Sequence, residues 1–420
     1  MSDLKTNKSE GRLGWLLLLF ISFIYFFANM QKVLVPGATF NELQSLFRLD
    51  ATQVTRLGSA FMYVYAFMQL VAGVLADRFS GRRVIAVGGI VFCMGALLSA
   101  WPASLGLLVV GRILTGFGAA TVYLSAVKEI GSHSPTHLPV LVGVLIIIGY
   151  SGGIAGTTPF IAGVHAYGYH AMMLAAAVGG LVAYLLFLAP FTALPGQPVN
   201  RQIAFRPSTY MVVFKVRQNP IQICGGGITF GTYFALQTVI GKKFLEDFCG
   251  MSPHGAGLVL TVMMIIAASN SLILAALSRM WGNRRLPFMR FGGFGCMASG
   301  AILFTTVLLD SRTCIPAIAA MLLLSFAANY SSISVSLLKD LNDEARFGTV
   351  MSVSNFIPYL VTAVFGGSLG WLMDRFPPTL VGDVKIYGRN SYLLVFGVLL
   401  VLGAIAAFLS CLLKDPKRPS

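Results

Sequence analysis

Long apolar runs without charge, broken by short polar segments, dominate the chain. Between Arg12 and Lys32 no residue is charged, and comparable gaps recur to the C-terminus. A helix rises about 1.5 Å per residue, so about 20 residues cross a hydrocarbon layer roughly 30 Å thick. The pattern predicts twelve such helices, over 13–37, 54–76, 84–101, 105–127, 139–163, 169–190, 219–241, 255–278, 287–309, 314–337, 348–372 and 391–413. Helices are required because backbone N–H and C=O groups in lipid need partners within their own segment, and these runs are too long and too evenly apolar for alternating barrel strands.

Composition agrees. Only 11% of the 420 residues are charged and 56% are hydrophobic, against roughly 25% charged in a soluble domain. The lipid bilayer is therefore the expected solvent for much of the surface. Twenty of the thirty Lys and Arg residues fall in or within one turn of segments that are cytoplasmic if the N-terminus is inside, eight fall in or within one turn of outer segments, and Lys32 and Arg112 lie deeper within spans. That asymmetry predicts a multi-pass protein of the cytoplasmic (inner) membrane of a bacterium with both termini in the cytoplasm. The formal charge of +15 then reflects inner loops facing anionic lipid, and no nucleic-acid partner is expected. The first apolar run is too long for a signal-peptide core. No Cys/His cluster has metal-ligand spacing. No metal or other cofactor is expected.

The segment 192–218 carries Pro195, Pro198, Pro207 and several basic residues and reads as a cytoplasmic linker. It divides the chain into six-helix bundles at 1–191 and 219–420. The halves echo each other. Asp77, Arg78, Gly81 and Arg83 align with Ser278, Arg279, Gly282 and Arg284 at one offset, 201 (278 − 77). Lys128-Glu129 and Lys339-Asp340 follow the fourth span of each half. Two echoes in register indicate duplication, and parallel repeats about an axis normal to the membrane describe one large transporter architecture.

The stretch GVLADRFSGRR, from Gly73 to Arg83, resembles the loop 2–3 motif of the major facilitator superfamily, with Gly73, Leu75, Asp77, Arg78, Gly81, Arg82 and Arg83 in matching roles. GRILTGFGAA, from Gly111, resembles that superfamily's fourth-helix pattern. The resemblance implies an all-α membrane fold of twelve helices in two pseudo-symmetric halves. In the loop, Gly81 serves the sharp reversal and Asp77 can accept from helix-end N–H groups or pair with an Arg. Arg78, Arg82, Arg83 and Arg279 can bridge to acids on other helix ends, with Glu129, Asp340, Asp343 and Glu344 as candidates. Such bonds form a cytoplasmic latch that favours the outward-open state.

Within the spans, Lys32 and Arg112 are the candidate substrate ligands. A cation deep in a bilayer costs about 2.5–3.5 kcal/mol on insertion scales and usually faces a cavity. No acid lies in the first-half spans to neutralise either one, so the pair invites an anion. The rival readings are snorkelling of Lys32 to the outer surface and a helix-packing role for Arg112. Polar residues expected to join the site are Tyr150 in span 5; Thr229, Tyr233 and Gln237, spaced by four along span 7; Asn329 and Tyr330 in span 10; and Asn355 and Tyr359 in span 11. The glycines of span 7 are expected to let it bend. The run from Tyr25 to Ala76 is similar to the anion:cation symporter branch of the superfamily. In that branch an Asp-Arg pair stands where this chain has Gln31-Lys32, and an acid often stands where it has Ala119. Carboxylates suited to a coupling proton are missing from both places.

These observations predict a secondary transporter working by alternating access on a small organic anion, such as a carboxylate or phosphate ester. A coupling ion or counter-substrate is its expected second partner, and a monomer its working unit. A drug or metabolite exporter of the same fold is the alternative, and a transporter-like ligand sensor a more distant one. An enzyme is not expected, because no nucleophile–base or metal constellation stands out, and no P-loop supports an ATP-driven pump.

Overall fold

A computed structural model describes residues 2–133, 137–193, 207–282, 284–311 and 313–414. Among them, twelve helices are long and apolar enough to cross a membrane: Trp15–Ala38, Ala51–Ala76, Gly81–Ala100, Leu105–Ser132, Val140–Tyr167, Tyr169–Phe191, Gln218–Asp247, Pro253–Met280, Leu286–Leu308, Cys314–Leu341, Arg346–Met373 and Arg389–Leu412. In chain order these are spans 1 to 12. Each matches an apolar run of the sequence. Span 7 departs most, continuing past the expected end at 241 to Asp247 and so taking in Lys242 and Lys243. Of the expected linker, Pro207–Lys215 forms a 3-10 helix, and 194–206 lie outside the described residues.

The helices pack as two compact units: Met1–Lys32 with Phe67–Phe205, and Val33–Ala66 with Arg206–Ser420. Spans 1 and 2 thus each contribute to both. In the first unit, helices meet through small residues, the device that replaces hydrophobic drive where lipid is the solvent. Span 5 crosses span 1 so closely that a Cβ on Gly152 would lie 2.0 Å from the Phe26 carbonyl oxygen. Span 4 breaks at Thr121, which caps Leu105–Ala120 before the helix resumes at Val122–His133.

In the second unit, two spans lose regular helical geometry at matching depth. Span 1 ends in a π turn at Leu34–Ala38, where Val35 has extended angles. Span 7 passes through a π turn at Leu236–Ile240. The two irregular turns touch, since a Cβ on Gly37 would meet the Thr238 carbonyl oxygen at 2.7 Å. The irregularity of span 7 is therefore at 236–240, beyond the glycines expected to bend it. Gly227 and Gly231 instead seat Ile357 and Val361 of span 11. A short helix, Phe40–Phe47, leads to span 2. The first N–H groups of span 2 need outside partners, and the Asp374 carboxylate at the end of span 11 accepts from Ala51 and Thr52. A hairpin of β1 (Thr379–Val381) and β2 (Val384–Ile386) precedes span 12.

Candidate substrate site and latches

Span 1 brings Lys32 and Arg112, the two cations singled out in the sequence, to one turn of helix. Lys32 is 3% exposed and donates from Nζ to Asn29 Oδ1 at 3.1 Å. It does not reach the surface. Arg112 on span 4 is 0% exposed and donates from Nη1 to the backbone carbonyl of Gln31 at 3.1 Å. That bond is of the kind a helix-packing role requires, and it also sets the guanidinium one residue from Lys32. The Gln31 amide is buried, and both its polar atoms lack a hydrogen-bond partner among the described residues. An aromatic wall lies one to two turns earlier. Tyr25 stacks on Tyr123 of span 4 with centroids 5.6 Å apart. Gly149, beside the half-buried Tyr150, packs on Tyr25 and Asn29.

The second-unit residues fall into separate groups. Thr229 and Tyr330 meet at 3.1 Å between hydroxyls. Tyr233 donates to Met264 Sδ and Gln237 to the Leu260 carbonyl, so both are engaged with span 8. Asn329 donates to the Ser325 carbonyl of its own helix. Tyr359 packs edge-to-face on Tyr65 at 4.6 Å and on Phe230 at 5.8 Å. Asn355 is half-buried on the same helix. The spacing of four along span 7 is real, but the face it marks is fully buried, which spacing alone does not reveal.

The loop motif has its partner in the first unit. Glu129 accepts from the Arg82 backbone N–H at 2.8 Å and pairs with its guanidinium at 3.4 Å, both side chains buried. Gly81 is required there by close approach. A Cβ would lie 2.5 Å from the Ser125 carbonyl oxygen and 2.9 Å from Glu129. The residue with positive φ in the reversal is Ser80, at 71°, a correction to the role given to Gly81. Lys128 donates to the Ala76 carbonyl. Arg78 and Arg83 are exposed, and Gly73 is half-buried. The second half repeats the arrangement in weaker form: Arg285 pairs with Asp340 and Ser278 bonds the Arg284 carbonyl at 2.9 Å, while Gly282 takes the positive φ. Arg279 is exposed. Asp343 pairs with Arg346 of its own turn at 3.6 Å. The side chains of Asp77 and Glu344 lie outside the described residues.

The family model for the Major Facilitator Superfamily matches residues 17–365, most of the chain. The chain belongs to the major facilitator superfamily. Curated relatives of this facilitator include the 4-hydroxybenzoate transporter PcaK of Pseudomonas putida, 29% identical over 188 residues that cover 44% of this chain and 41% of the relative. The probable sulfoacetate transporter SauU of Cupriavidus necator is 29% identical over 105 residues, 25% of this chain and 24% of the relative. The facilitator thus spans less than half the length of these relatives in the matched region. Among solved structures, the nucleoside transporter NupG superposes with a TM-score of 0.71 at 15% identity, covering 96% of this chain and 100% of that one. A peptide transporter POT in complex with sulfate reaches 0.73 at 15% identity, covering 94% and 93%. These likenesses concern the fold. The protein is a multi-pass membrane protein of that superfamily.

One group of polar residues in this facilitator departs from the sequence expectation. Lys242 and Lys243, expected in an outer loop, are 2% and 0% exposed within the last turns of span 7. Lys243 pairs with Asp247 at 2.9 Å and donates to Asn41 and to the Lys385 carbonyl. Lys242 pairs with Glu246 at 3.3 Å, and Glu42 stands at 3.9 Å. Asn41 donates to Glu246, and Asp247 accepts from the Tyr387 N–H and the Tyr392 hydroxyl. The signal that could have found them is KKFLED, where each lysine has a carboxylate four residues on.

Proposed function

We propose that this facilitator carries a small organic anion across the cytoplasmic membrane of a bacterium by alternating access, with both termini inside and a monomer as the working unit. The observation that carries the reading is the convergence of Lys32 and Arg112 on one turn of span 1, deep in spans that hold no carboxylate at that depth. Two buried cations in low dielectric attract an anion far more strongly than the same charges in water. Tyr25 and Tyr123 offer a stacking surface beside them, which suits an aromatic or otherwise planar carboxylate. The transported anions in the names of PcaK and SauU, 4-hydroxybenzoate and sulfoacetate, are of this charge class. Arg82 and Glu129, with Asp77, Arg78 and Arg83 beside them, form the cytoplasmic latch of the first half, and Arg285 with Asp340 its weaker copy.

Thermal unfolding of the purified protein against a panel of organic anions, organic cations and neutral solutes tests the substrate class. Anions stabilise it, and the effect disappears in Arg112→Ala and falls in Lys32→Ala. Stabilisation by lipophilic cations alone overturns the reading.

A further inference from the structure

We infer that Cys249 and Cys314 are joined by a disulfide on the outer face, a modification that ties the end of span 7 to the start of span 10. The inference rests on the membrane orientation proposed above and is independent of the anion site. Of the six cysteines, Cys93 and Cys296 are buried within spans 3 and 9, and Cys224 and Cys411 are exposed on the inner parts of spans 7 and 12. Cys249 and Cys314 are half-buried and stand at span ends that face outward in that orientation. Cys249 is two residues past Asp247, the last of span 7 (249 − 247), and Cys314 is the first residue of span 10. They are 65 positions apart in the chain (314 − 249), yet the fold brings them together. The Cys314 thiol donates to the Cys249 backbone carbonyl, with 3.5 Å between sulfur and oxygen.

Both backbones are fixed at the point of contact. Span 7 closes in a turn where the Phe248 N–H donates to the Phe244 carbonyl and the Met251 N–H to the Leu245 carbonyl. Gly250 takes a φ of 67° there, as in many glycine-ended helices. Cys314 opens its helix directly after Thr313, the cap position. A disulfide asks for Cα atoms about 4.4–6.8 Å apart. A thiol seated on its partner's main chain is compatible with that spacing, so turning the Cys249 side chain toward it brings sulfur to sulfur. On an oxidising face such a pair closes by exchange. The thiolate of one cysteine attacks an oxidant, a protein or small-molecule disulfide of that compartment, and displaces one of its sulfurs as a thiolate. The thiolate of the second cysteine then attacks the mixed disulfide and releases the oxidant's other sulfur. The two cysteines give up two protons and two electrons, and the oxidant leaves with both its sulfurs reduced. The closed bond holds the turn that follows the ion-paired helix end of Lys242, Lys243, Glu246 and Asp247.

The full chain, extracted from membranes and alkylated in SDS before any reductant is added, tests the bond directly. Four of the six cysteines should react (6 − 2), all six should react after reduction, and peptide mapping should find the fragments carrying Cys249 and Cys314 linked. Six reactive thiols without reductant, or a link between any other pair, overturns the proposal. A membrane-impermeant maleimide applied to intact cells after mild reduction distinguishes the two ways of failing. Labelling of Cys249 and Cys314 keeps the orientation standing whatever the thiol count, and absence of labelling overturns the orientation and the proposal with it.

Stability separates a covalent link from the hydrogen bond alone. Reduction of the natural protein should lower its unfolding temperature by about 5 °C. Cys249→Ser, Cys314→Ser and the double variant should each show that same loss and no further response to reductant. A hydrogen bond alone would survive in Cys314→Ser through the serine hydroxyl, and Cys249→Ser would leave the accepting backbone carbonyl untouched. Natural stability in either single variant overturns the proposal.

Discussion

Lys242 with Lys243, and Lys32 with Arg112, are two pairs of buried cations with different acceptors around them. Lys242 and Lys243 sit among Glu42, Glu246 and Asp247, each within an ion pair of its own helix. Lys32 and Arg112 are as deeply buried, yet they donate to neutral acceptors: the Asn29 amide oxygen and the Gln31 carbonyl. Burial alone therefore does not mark a functional charge. A lysine supplied with its counter-ion four residues on is finished as a structural element, and its removal strands an acid. A cation held by dipoles keeps capacity for a further negative charge. The first pair ties Asn41 and Glu42 to span 7 and, through the Lys385 carbonyl, to the hairpin before span 12, and the second pair belongs to the proposed anion site.

Stability is where the contrast should show most strongly. Lys243→Met leaves Asp247 buried without its ion pair and should cost about 3–5 kcal/mol, read as a lowered unfolding temperature of the detergent-purified protein. Lys32→Met, which removes a donor to the neutral Asn29 amide oxygen, should cost less, about 1 kcal/mol. Equal losses in the two variants would erase the distinction. Ligand response comes next. A transported anion at a hundred times its Kd should stabilise the native protein by about 2.7 kcal/mol. That shift should vanish in Arg112→Ala and survive in Glu42→Gln, at the edge of the other cluster. A smaller effect separates the two copies of the latch. Glu129→Gln, within a buried pair, should cost about 2 kcal/mol, whereas Asp340→Asn, in a half-exposed pair, should cost under about 1 kcal/mol. The unfolding temperatures of these two variants, measured side by side, check the ranking.

A further modest effect belongs to Tyr387, whose hydroxyl donates to Asp374 and accepts from the Ala51 N–H. Tyr387→Phe should cost about 1 kcal/mol. Burial, and then the Asp374 carboxylate beside it, hold this phenol well above the ordinary tyrosine pKa. The folded form therefore keeps its proton where the unfolded chain loses it. The advantage of the natural residue over Phe should be constant from neutral pH up to about 10 and shrink above that, where only the unfolded tyrosine ionises. Urea unfolding of both proteins across that range measures it.

Much of this is legible in the sequence, for identifiable reasons. The twelve spans can be read because lipid forbids both charge and unpaired backbone, which leaves long uninterrupted runs. Glu129 as the partner of the loop motif can be read because the halves repeat their charges in order. The polar face of span 7 reads as facing the cargo, but Tyr233 and Gln237 turn to Met264 and Leu260. A period of four fixes which residues share a face and is silent about what that face meets. Lys242 and Lys243 read as loop residues because charge normally ends a span. Here intrahelical ion pairs allow the helix to carry them into the interior. The tie between Tyr387 and the start of span 2 has no local signal, since its partners are separated by more than three hundred residues.

The way the chain threads its two compact units has a practical corollary. Residues 33–66 pack with 206–420, though they precede 67–205 in the polypeptide. Cleavage in the 194–206 stretch would yield two fragments, the second of which lacks the length of chain that seats Asn41 on Lys243 and Thr52 on Asp374. Neither piece would be self-sufficient, so co-expressed fragments should accumulate only together, and the fragment 207–420 alone should be cleared by the cell's proteases.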